Sequence, residues 1–580
     1  MFLILIFFWG FVLRIVGVGY GYPFAIGHFD EVFSVRAAMA IAATKSLQPI
    51  NLKYPALFPT LLTAFYSFYY LIGRLLGAFQ TPADFAFLYM TRPFNLYLIA
   101  RLLSVLAGGL TVLFTYQIAK VIYGRRIGLF AAGLLALSTT HLIYSHWAKP
   151  DVFMVFLVTI SLLFTSFIMA GKGRLKNYLL AGLFAGLAIS AKYNALWVVT
   201  SLFAVHLFVS ENKNPVGYFI NKKLWLYLLM LVVGFFIGSP YCFLNPRFFY
   251  QEVSFIMGML RFGELGNLHN SPWWVFTYLI KEEAAVGVIF LSGMVYCLFK
   301  PKKEHWIFLS FILVFLLLTA RYSKTSLHYI LPIFPAMAIL GAVFLDKIFS
   351  SLWSKSRLLC QIFSLLLSIS ILVKVCQAEG SFLSKDSRIT AKEWIEQHIP
   401  ENSKIALFAL RYRDLPPIVS VSEEFSSMDY GPKARKVYRD KRLEDLLRNY
   451  YSDTNTYRIY KLEKEFSDET ANKLLSSGGI QNDIYLKGCY KQDWKSLAEL
   501  KTQGIEYLVI SSFLSELYED KNMPPRNHPL YILYKNGREY FYKLLHSSEV
   551  VLLKEIIPKS DLGPTIRIYR MVYNGAKKAN

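Results

Sequence analysis

Long apolar runs recur from the first residues to about position 376 and then stop. A bilayer core takes about 20 apolar residues per helix, fewer where flanking side chains snorkel. Runs that meet or approach this lie at 2 to 19, 57 to 76, 97 to 121, 127 to 143, 152 to 170, 177 to 190, 194 to 210, 224 to 240, 284 to 299, 305 to 320, 329 to 346 and 357 to 375. The pattern predicts a polytopic α-helical membrane region over 1–375. From Ser381 onward polar and apolar residues mix as in a soluble domain. Ser387 to His398 has helical spacing, with Ile389, Trp394 and Ile395 on one side, and Lys404 to Leu410 reads as a strand. Trp494 to Thr502 repeats the helix and Ile505 to Ser511 the strand, and Val550 to Ile556 and Thr565 to Met571 are later strands. Helix-to-strand units of this kind predict a small α/β domain over 376–580. The stretch from 420 to 480 is polar, Tyr-rich and without a clear period, and no internal repeat stands out.

Charge orients the runs, because short cytoplasmic loops retain Lys and Arg. Gly124-Arg125-Arg126, Lys172 to Lys176, Lys213 to Lys223, Lys300 to Lys303 and Lys347 to Arg357 read as cytoplasmic. They alternate with loops holding Asp30 and Glu31, Asp151, Lys192, Asn245 to Ser271, and Arg321 to His328, which therefore face outward. Parity requires one run not to cross. The candidate is 57 to 76, which follows Lys53-Tyr54-Pro55 and contains Pro59 and Arg74, and is read as interfacial or re-entrant. The expectation is about 11 spans, with the N-terminus cytoplasmic, a first outer loop at 20–96 carrying interfacial helices, and residues 376–580 extracytoplasmic. The first run lacks a basic leader and a small-x-small cleavage site, so it is read as a retained span.

Composition agrees: 55% of the 580 residues are hydrophobic and 17% charged, against about 25% charged in soluble domains. The net charge of +23 sits largely in the loop clusters, where it meets anionic membrane lipids, so no nucleic-acid partner is expected. The five cysteines show no metal-ligand spacing; Cys376 and Cys489, both on the outer side in this reading, are the one pair considered for a disulfide.

Candidate chemistry begins at Gly27-His28-Phe29-Asp30-Glu31, two adjacent carboxylates just beyond the first hydrophobic helix. Their plainest role is to stop that helix from sliding and to cap the next one. A second outward acid, Asp151 in His146-Trp147-Ala148-Lys149-Pro150-Asp151, opens another span, where an acid is costly unless solvated or paired. Arg14 lies inside the first helix and is expected to snorkel or to pair with a first-loop acid. Lys53, Lys192 and Arg321 sit at outward positions that the positive-inside bias does not explain.

Four features in this order resemble the GT-C superfamily of membrane glycosyltransferases, in the branch of the protein O-mannosyltransferases and the lipid A aminoarabinose transferase. They are Arg14-Ile15-Val16-Gly17 followed by His28-Phe29-Asp30-Glu31; Lys53-Tyr54-Pro55-Ala56-Leu57; Lys149-Pro150-Asp151; and His328-Tyr329-Ile330-Leu331-Pro332. The resemblance extends to Ala391 to Ile399 and Thr565 to Arg570. It implies transfer outside the cytoplasm, in a plasma (inner) membrane, of a sugar from a polyprenyl phosphate to a hydroxyl of a lipid, protein or glycan. It implies Asp30 as the base, with Glu31 and Asp151 as further catalytic acids that orient the acceptor or its sugar. It implies Lys53, Lys192, Arg321, His328 and Tyr329 at the donor phosphate, although an arginine usually stands where this chain has His328. Relatives that use a divalent ion such as magnesium or manganese would point to His28, Asp30 and Asp151 as ligands; the sequence does not require one. The competing reading is a lipid-linked glycan flippase or other polytopic transporter. Transporters often carry internal repeats and broken helices at the midplane, whereas the notable acids here lie at outward loops.

Overall fold

The computed structural model describes the whole chain except residues 25–26, 50–51, 211–217, 219–220, 265–272, 408–418, 421–439, 453–455, 478–482, 519–522, 561 and 574–580. The N-terminal two thirds are helical. In order come α1 (Phe2–Ile15), α2 (Glu31–Thr44), α3 (Leu57–Leu75), α4 (Pro82–Thr91), α5 (Phe94–Tyr123), α6 (Arg125–Ala136), α7 (Thr139–Ser145), α8 (Pro150–Met169), α9 (Leu175–Ala191) and α10 (Val199–Val209). Further helices run over Lys222–Gly238, Pro246–Phe262, Trp274–Glu283, Ala285–Phe299, Trp306–Thr319, Phe334–Lys355 and Arg357–Leu383.

Among the described residues, Phe94–Tyr123, Pro150–Met169, Leu331–Lys355 and Arg357–His398 are long and apolar enough to cross a membrane, and the bent pair α6 and α7 adds a fifth candidate. The chain is therefore a multi-pass membrane protein. The runs expected at 2 to 19, 177 to 190, 194 to 210 and 284 to 299 form shorter apolar helices. Hydropathy reads straight through local breaks, such as the 3-10 turn Tyr193–Val198 ahead of α10. The run at 57 to 76 forms α3, which is not among the long apolar helices. Arg357–Leu383 continues eight residues past its expected end at 375. It keeps Leu358, Ile362, Leu365, Leu366, Ile369 and Leu372 exposed, an outer face suited to lipid.

Small residues set the tightest helix pair. A Cβ at Gly186 would lie 2.0 Å from the Leu231 carbonyl oxygen, and one at Gly234 2.3 Å from that of Leu183. Such close backbones are how apolar helices associate without a hydrophobic driving force between them. The basic loops contact one another: Arg126 pairs with Asp346 at 2.9 Å, Lys223 donates to the Gly173 carbonyl at 2.9 Å, and the rings of Tyr123 and His305 lie 5.9 Å apart.

The C-terminal part forms a six-stranded sheet of order β2-β3-β1-β6-β8-β7, with β1 (Lys404–Leu407), β2 (Val419–Ser420), β3 (Thr456–Lys461), β6 (Tyr507–Ser511), β7 (Val550–Ile556) and β8 (Ile566–Met571). A separate pair joins β4 (Glu463–Glu465) to β5 (Gln492–Trp494). Strands β1, β2, β3 and β6 pair in parallel, while β8 and β7 close the sheet antiparallel. Helix Ser387–His398, at its expected bounds, packs Ala391 and Ile395 on one face with Ile405, Ile459 and Val509; Leu500 and Leu544 cover the other with Ala406 and Leu508. A sheet apolar on both faces is what parallel strands require. The expected helix at 494 to 502 is shorter, Leu497–Thr502, because Trp494 is taken by β5, and the strand expected to reach Leu410 is described to Leu407. Cys376 and Cys489 are both free thiols, as are the other three cysteines.

The sheet is tied to the helical part by polar contacts. Tyr20 donates to Asp386 at 2.5 Å, and Arg388 holds the same carboxylate at 2.8 and 2.6 Å. Arg442 reaches Asp84 at 2.9 Å, and Tyr485 donates to the Gly263 carbonyl at 2.5 Å. The helix Pro246–Phe262 packs Phe255 edge-on to Tyr485.

Candidate active site

The loop after α1 folds back because its polar groups are claimed by the helices around it. Arg101, inside the apolar run of α5, forms a two-pronged pair with Glu31, Nε to Oε1 at 2.8 Å and Nη2 to Oε2 at 2.9 Å. Its remaining Nη1 donates to the carbonyls of Val18 and Tyr20 at 3.1 and 2.7 Å. Glu31 Oε1 also accepts from the Ala148 amide at 2.8 Å, so one carboxylate joins the first loop, α5 and the segment before α8. Gly27 passes directly over this pair: a Cβ there would fall 2.1 Å from Glu31 Oε2 and 2.4 Å from Arg101 Nη2. Only glycine fits.

A second buried acid shapes the same segment from the other side. The helix bends by 60° between α6 and α7, and the freed amides of Thr139 and Thr140 donate to Glu283 at 3.1 and 2.6 Å. A carboxylate at a helix N-terminus satisfies orphan donors and opposes the dipole. Arg14 answers at the end of α6, donating to the carbonyls of Ala136 and Leu135 at 3.2 and 3.3 Å and meeting His141 Nδ1 at 2.9 Å. It pairs with no first-loop acid, because Arg101 already holds Glu31 and Lys149 holds Asp30.

Beyond the bend, Lys149 stands at the residue before α8, with Pro150 opening the helix. Its ammonium lies 2.8 Å from Asp30 Oδ2 and 3.9 Å from Asp151 Oδ2. Asp151 Oδ1 is 2.5 Å from Lys192 Nζ, at the end of α9. Asp30, Lys149, Asp151 and Lys192 thus form a buried row of alternating charge. Burial raises the Asp30 carboxyl, but the Lys149 ammonium and the other neighbours outweigh this and hold it well below the usual carboxylate range. Burial lowers Lys149, yet Asp30 and Asp151 together push it above its ordinary value. Lys192 is lowered, mainly by burial, with Asp151 offsetting only part.

His28 accepts from the Asp30 amide through Nδ1 at 3.1 Å and stacks on Phe29; burial and then Lys149 bring its pKa down to about 4, so it is neutral. His328 meets Ser326 at 2.6 Å and Tyr144 at 3.4 Å through the same ring nitrogen, and burial with Lys149 and Lys192 holds it well below its usual value. The rings of Tyr54 and Tyr329 stand 5.6 and 5.5 Å from Lys192 Nζ. Lys53, in contrast, is exposed and lies over the Phe255 ring at 4.3 Å. Arg321 is exposed three residues before Lys324, which pairs with Glu264 at 2.6 Å.

The structure thus gathers His28, Asp30, Glu31, Asp151, Lys192, His328 and Tyr329, and leaves Lys53 and Arg321 at the surface. It adds Arg101, Lys149, Lys324 and Tyr54, which had no assigned role in the sequence reading. The signal for Arg101 was a lone cation in an apolar helix interior, where charge needs a partner. Among the described residues no group of three His, Cys, Asp or Glu side chains comes together as a cation site. The residues His28, Asp30 and Asp151 do not fit a divalent ion in this arrangement, because the Lys149 ammonium lies between the two carboxylates.

Residues 94–243 match the family described as dolichyl-phosphate-mannose-protein mannosyltransferase, a stretch that contains Arg101, Lys149, Asp151 and Lys192. The chain resembles the GT-C membrane glycosyltransferases of that branch. Similar solved structures include ArnT from Cupriavidus metallidurans bound to undecaprenyl phosphate, at 13% identity and TM-score 0.46 over 98% of this chain and 97% of that one. The oligosaccharyltransferase of Archaeoglobus fulgidus, in complex with Zn and sulfate, shares 13% identity at TM-score 0.47, covering 98% and 88% of the two chains. The arabinofuranosyltransferase AftD from Mycobacteria shares 14% identity at TM-score 0.41, covering 98% of this chain and 42% of that one. No curated protein matches the sequence.

Proposed function

We propose that the chain is an inverting glycosyltransferase that moves a sugar from a polyprenyl phosphate to a hydroxyl of a lipid, protein or glycan on the outer side of a membrane. In this reading residues 1–375 are the catalytic membrane domain and 376–580 an extracytoplasmic domain, with the N-terminus in the cytoplasm of a cell whose plasma membrane holds the protein. The observation that carries the reading is the family match over 94–243, which contains three members of the buried charged row. Two solved structures, ArnT with undecaprenyl phosphate and the Archaeoglobus fulgidus AglB with a dolichol-phosphate, bind lipid phosphates of the class the reading requires.

The chemistry asks for little. The acceptor hydroxyl attacks the anomeric carbon while the bond from that carbon to the phosphate oxygen breaks, and the electron pair leaves with the polyprenyl phosphate. The hydroxyl proton goes to Asp30, through Oδ1, since the Lys149 and His28 contacts both use Oδ2. Attack from the face opposite the phosphate inverts the anomeric centre, by analogy with single-displacement glycosidases. The departing phosphate is already an anion and needs fixed positive charge more than an acid. Lys192, over the Tyr329 ring, and Lys324, which bonds to the Tyr329 hydroxyl, supply it, with neutral His328 and Tyr329 as hydrogen-bond donors; Lys53 meets the donor at the exposed edge. Asp151 holds Lys192 and Lys149 in place, and Glu31 is a positioning residue. No step passes through a magnesium or manganese ion.

The test is transfer from a panel of radiolabelled polyprenyl-phosphate sugars to membrane extracts. Wild-type protein should label an acceptor from at least one donor. Folded Asp30→Asn should retain donor binding and lose transfer by about 10²- to 10⁴-fold, the usual worth of a general base. No transfer from any donor, in membranes where the protein does move a glycolipid across the bilayer, would replace this reading with the flippase.

A further inference from the structure

Two buried acids converging from different helices are the ordinary beginning of a divalent cation site, in which carboxylate oxygens meet the ion at about 2.0 to 2.6 Å. Asp30 and Asp151 converge in this way, but on an ammonium group. Lys149 Nζ is 2.8 Å from Asp30 Oδ2 and 3.9 Å from Asp151 Oδ2, and the lysine is almost wholly buried. Asp151 Oδ2 is buried with no hydrogen-bond partner of its own, so the charge facing it is the Lys149 ammonium.

The lysine is held there by its own backbone. The preceding amide, at Ala148, is clamped by Glu31, whose position is fixed in turn by Arg101; the Lys149 amide closes a turn onto the Trp147 carbonyl at 2.7 Å; and the following residue is a proline. A side chain that starts from a fixed Cα and ends in a pocket lined by two carboxylates and the Tyr144 ring, 5.2 Å away, is a resident part of the centre. With Lys192 on the far oxygen of Asp151, two positive charges balance two negative ones without any ion from solution. Adding a divalent ion between Asp30 and Asp151 would leave the row with surplus positive charge in a place of low dielectric, which is strongly unfavourable.

We infer that Lys149 is the built-in cation of this centre: it occupies the place between Asp30 and Asp151 that a divalent ion would take, and the carboxylate pair binds no metal while the lysine is present. The inference rests on Asp30 and Asp151 marking the reaction centre of the proposed transferase. It is tested without transfer, so its failure and the failure of that reading are separate results.

The experiment is a manganese titration of the purified full-length protein in detergent, followed by electron paramagnetic resonance. Wild type, Asp151→Asn, Lys149→Met and the double variant Lys149→Met/Asp151→Asn are compared, with size-exclusion profiles and circular dichroism as folding controls. Wild type and Asp151→Asn should bind manganese equally weakly. Lys149→Met should gain a site at least about tenfold tighter, as expected when two carboxylates are freed for a hard cation, and the double variant should lose it. Lys149→Gln, which keeps a hydrogen-bond donor in the same volume, serves if the methionine variant does not fold. Manganese held by wild type and released by Asp151→Asn would overturn the inference. So would a folded lysine variant that binds no more manganese than wild type.

Discussion

Asp30 and Glu31 are adjacent in the chain, both buried, and face opposite fates. Glu31 is saturated: two guanidinium nitrogens and a backbone amide occupy its oxygens, and the arginine spends its remaining Nη1 on two loop carbonyls. Among the described residues Asp30 has one short side-chain partner, an ammonium that must also serve Asp151. A planar guanidinium matches a carboxylate on both edges, whereas an ammonium is a point charge that can be shared. The difference separates architecture from chemistry. An acid with both oxygens engaged holds three segments together, and an acid with an oxygen to spare can accept a proton from something that binds beside it.

The sharpest way to break this comparison is to neutralise each acid in turn. Glu31→Gln leaves Arg101 charged and without its counterion in a buried site, a change that costs about 3 to 5 kcal/mol in comparable pairs. It should lower the thermal midpoint in detergent markedly and reduce the yield of folded protein. Transfer per folded molecule should fall far less than in Asp30→Asn. The double change Glu31→Leu with Arg101→Met should recover much of the lost stability, since well-packed apolar replacements of buried pairs are often tolerated. A Glu31→Gln protein that folds normally but cannot transfer sugar would erase the distinction between the two acids.

Much of this arrangement could be read from the sequence, and what escaped did so for definite reasons. The acids were visible because charge beside an apolar helix needs solvent or a partner. The pattern also located the helix Ser387–His398 and strands β6, β7 and β8, whose faces carry the apolar residues of the sheet core. What periodicity cannot supply is pairing. The roles of Asp30 and Glu31 depend on which cation reaches which acid, and Arg101 and Lys149 come from 70 and 119 residues away. The bend between α6 and α7 escaped because hydropathy averages Ser138-Thr139-Thr140-His141 into the apolar run from 127 to 143; it is stabilised by Glu283 and Arg14, which are distant in sequence. Strands β3, β4 and β5 lie in or beside polar sequence that shows no alternation long enough to register.

A second test reads the ionisation of Asp30 directly. Its carboxyl is held below the ordinary range by Lys149 against the opposing effect of burial, so in the wild type it stays ionised through mild acid. A carboxylate whose folded pKa is depressed adds stability above its unfolded pKa, and that contribution is lost as pH falls through the folded value. Transfer that needs ionised Asp30 should therefore show no acid limb between about pH 5 and 8, the ordinary carboxylate pKa being near 4. In Lys149→Met burial acts without its main opponent, the carboxyl pKa rises, and an acid limb should move up into this window. Rates of transfer per folded molecule across that range check it. An identical profile in both proteins would show that something other than Lys149 sets the charge on Asp30.

The smallest expected effects concern the cations that sequence position favoured and the fold leaves outside. Arg321 is exposed, and Lys53 is exposed over the Phe255 ring. Charges in water are screened within about 8 Å at physiological salt, and exposed pairs contribute about 0 to 1 kcal/mol. Arg321→Ala and Lys53→Ala should therefore raise the KM for donor by less than about fivefold, with kcat nearly unchanged and the Lys53 effect the larger. Lys324 is part-buried against Glu264, whose carboxylate outweighs burial and keeps the ammonium firmly protonated. Truncating it to alanine should weaken donor binding more than both surface changes together, because a fixed charge at low dielectric acts at full strength on a phosphate. The order of the three KM values decides the matter: Arg321→Ala as the most damaging would mean that the 321–328 loop folds inward over the donor, and that the phosphate is held by groups now facing water.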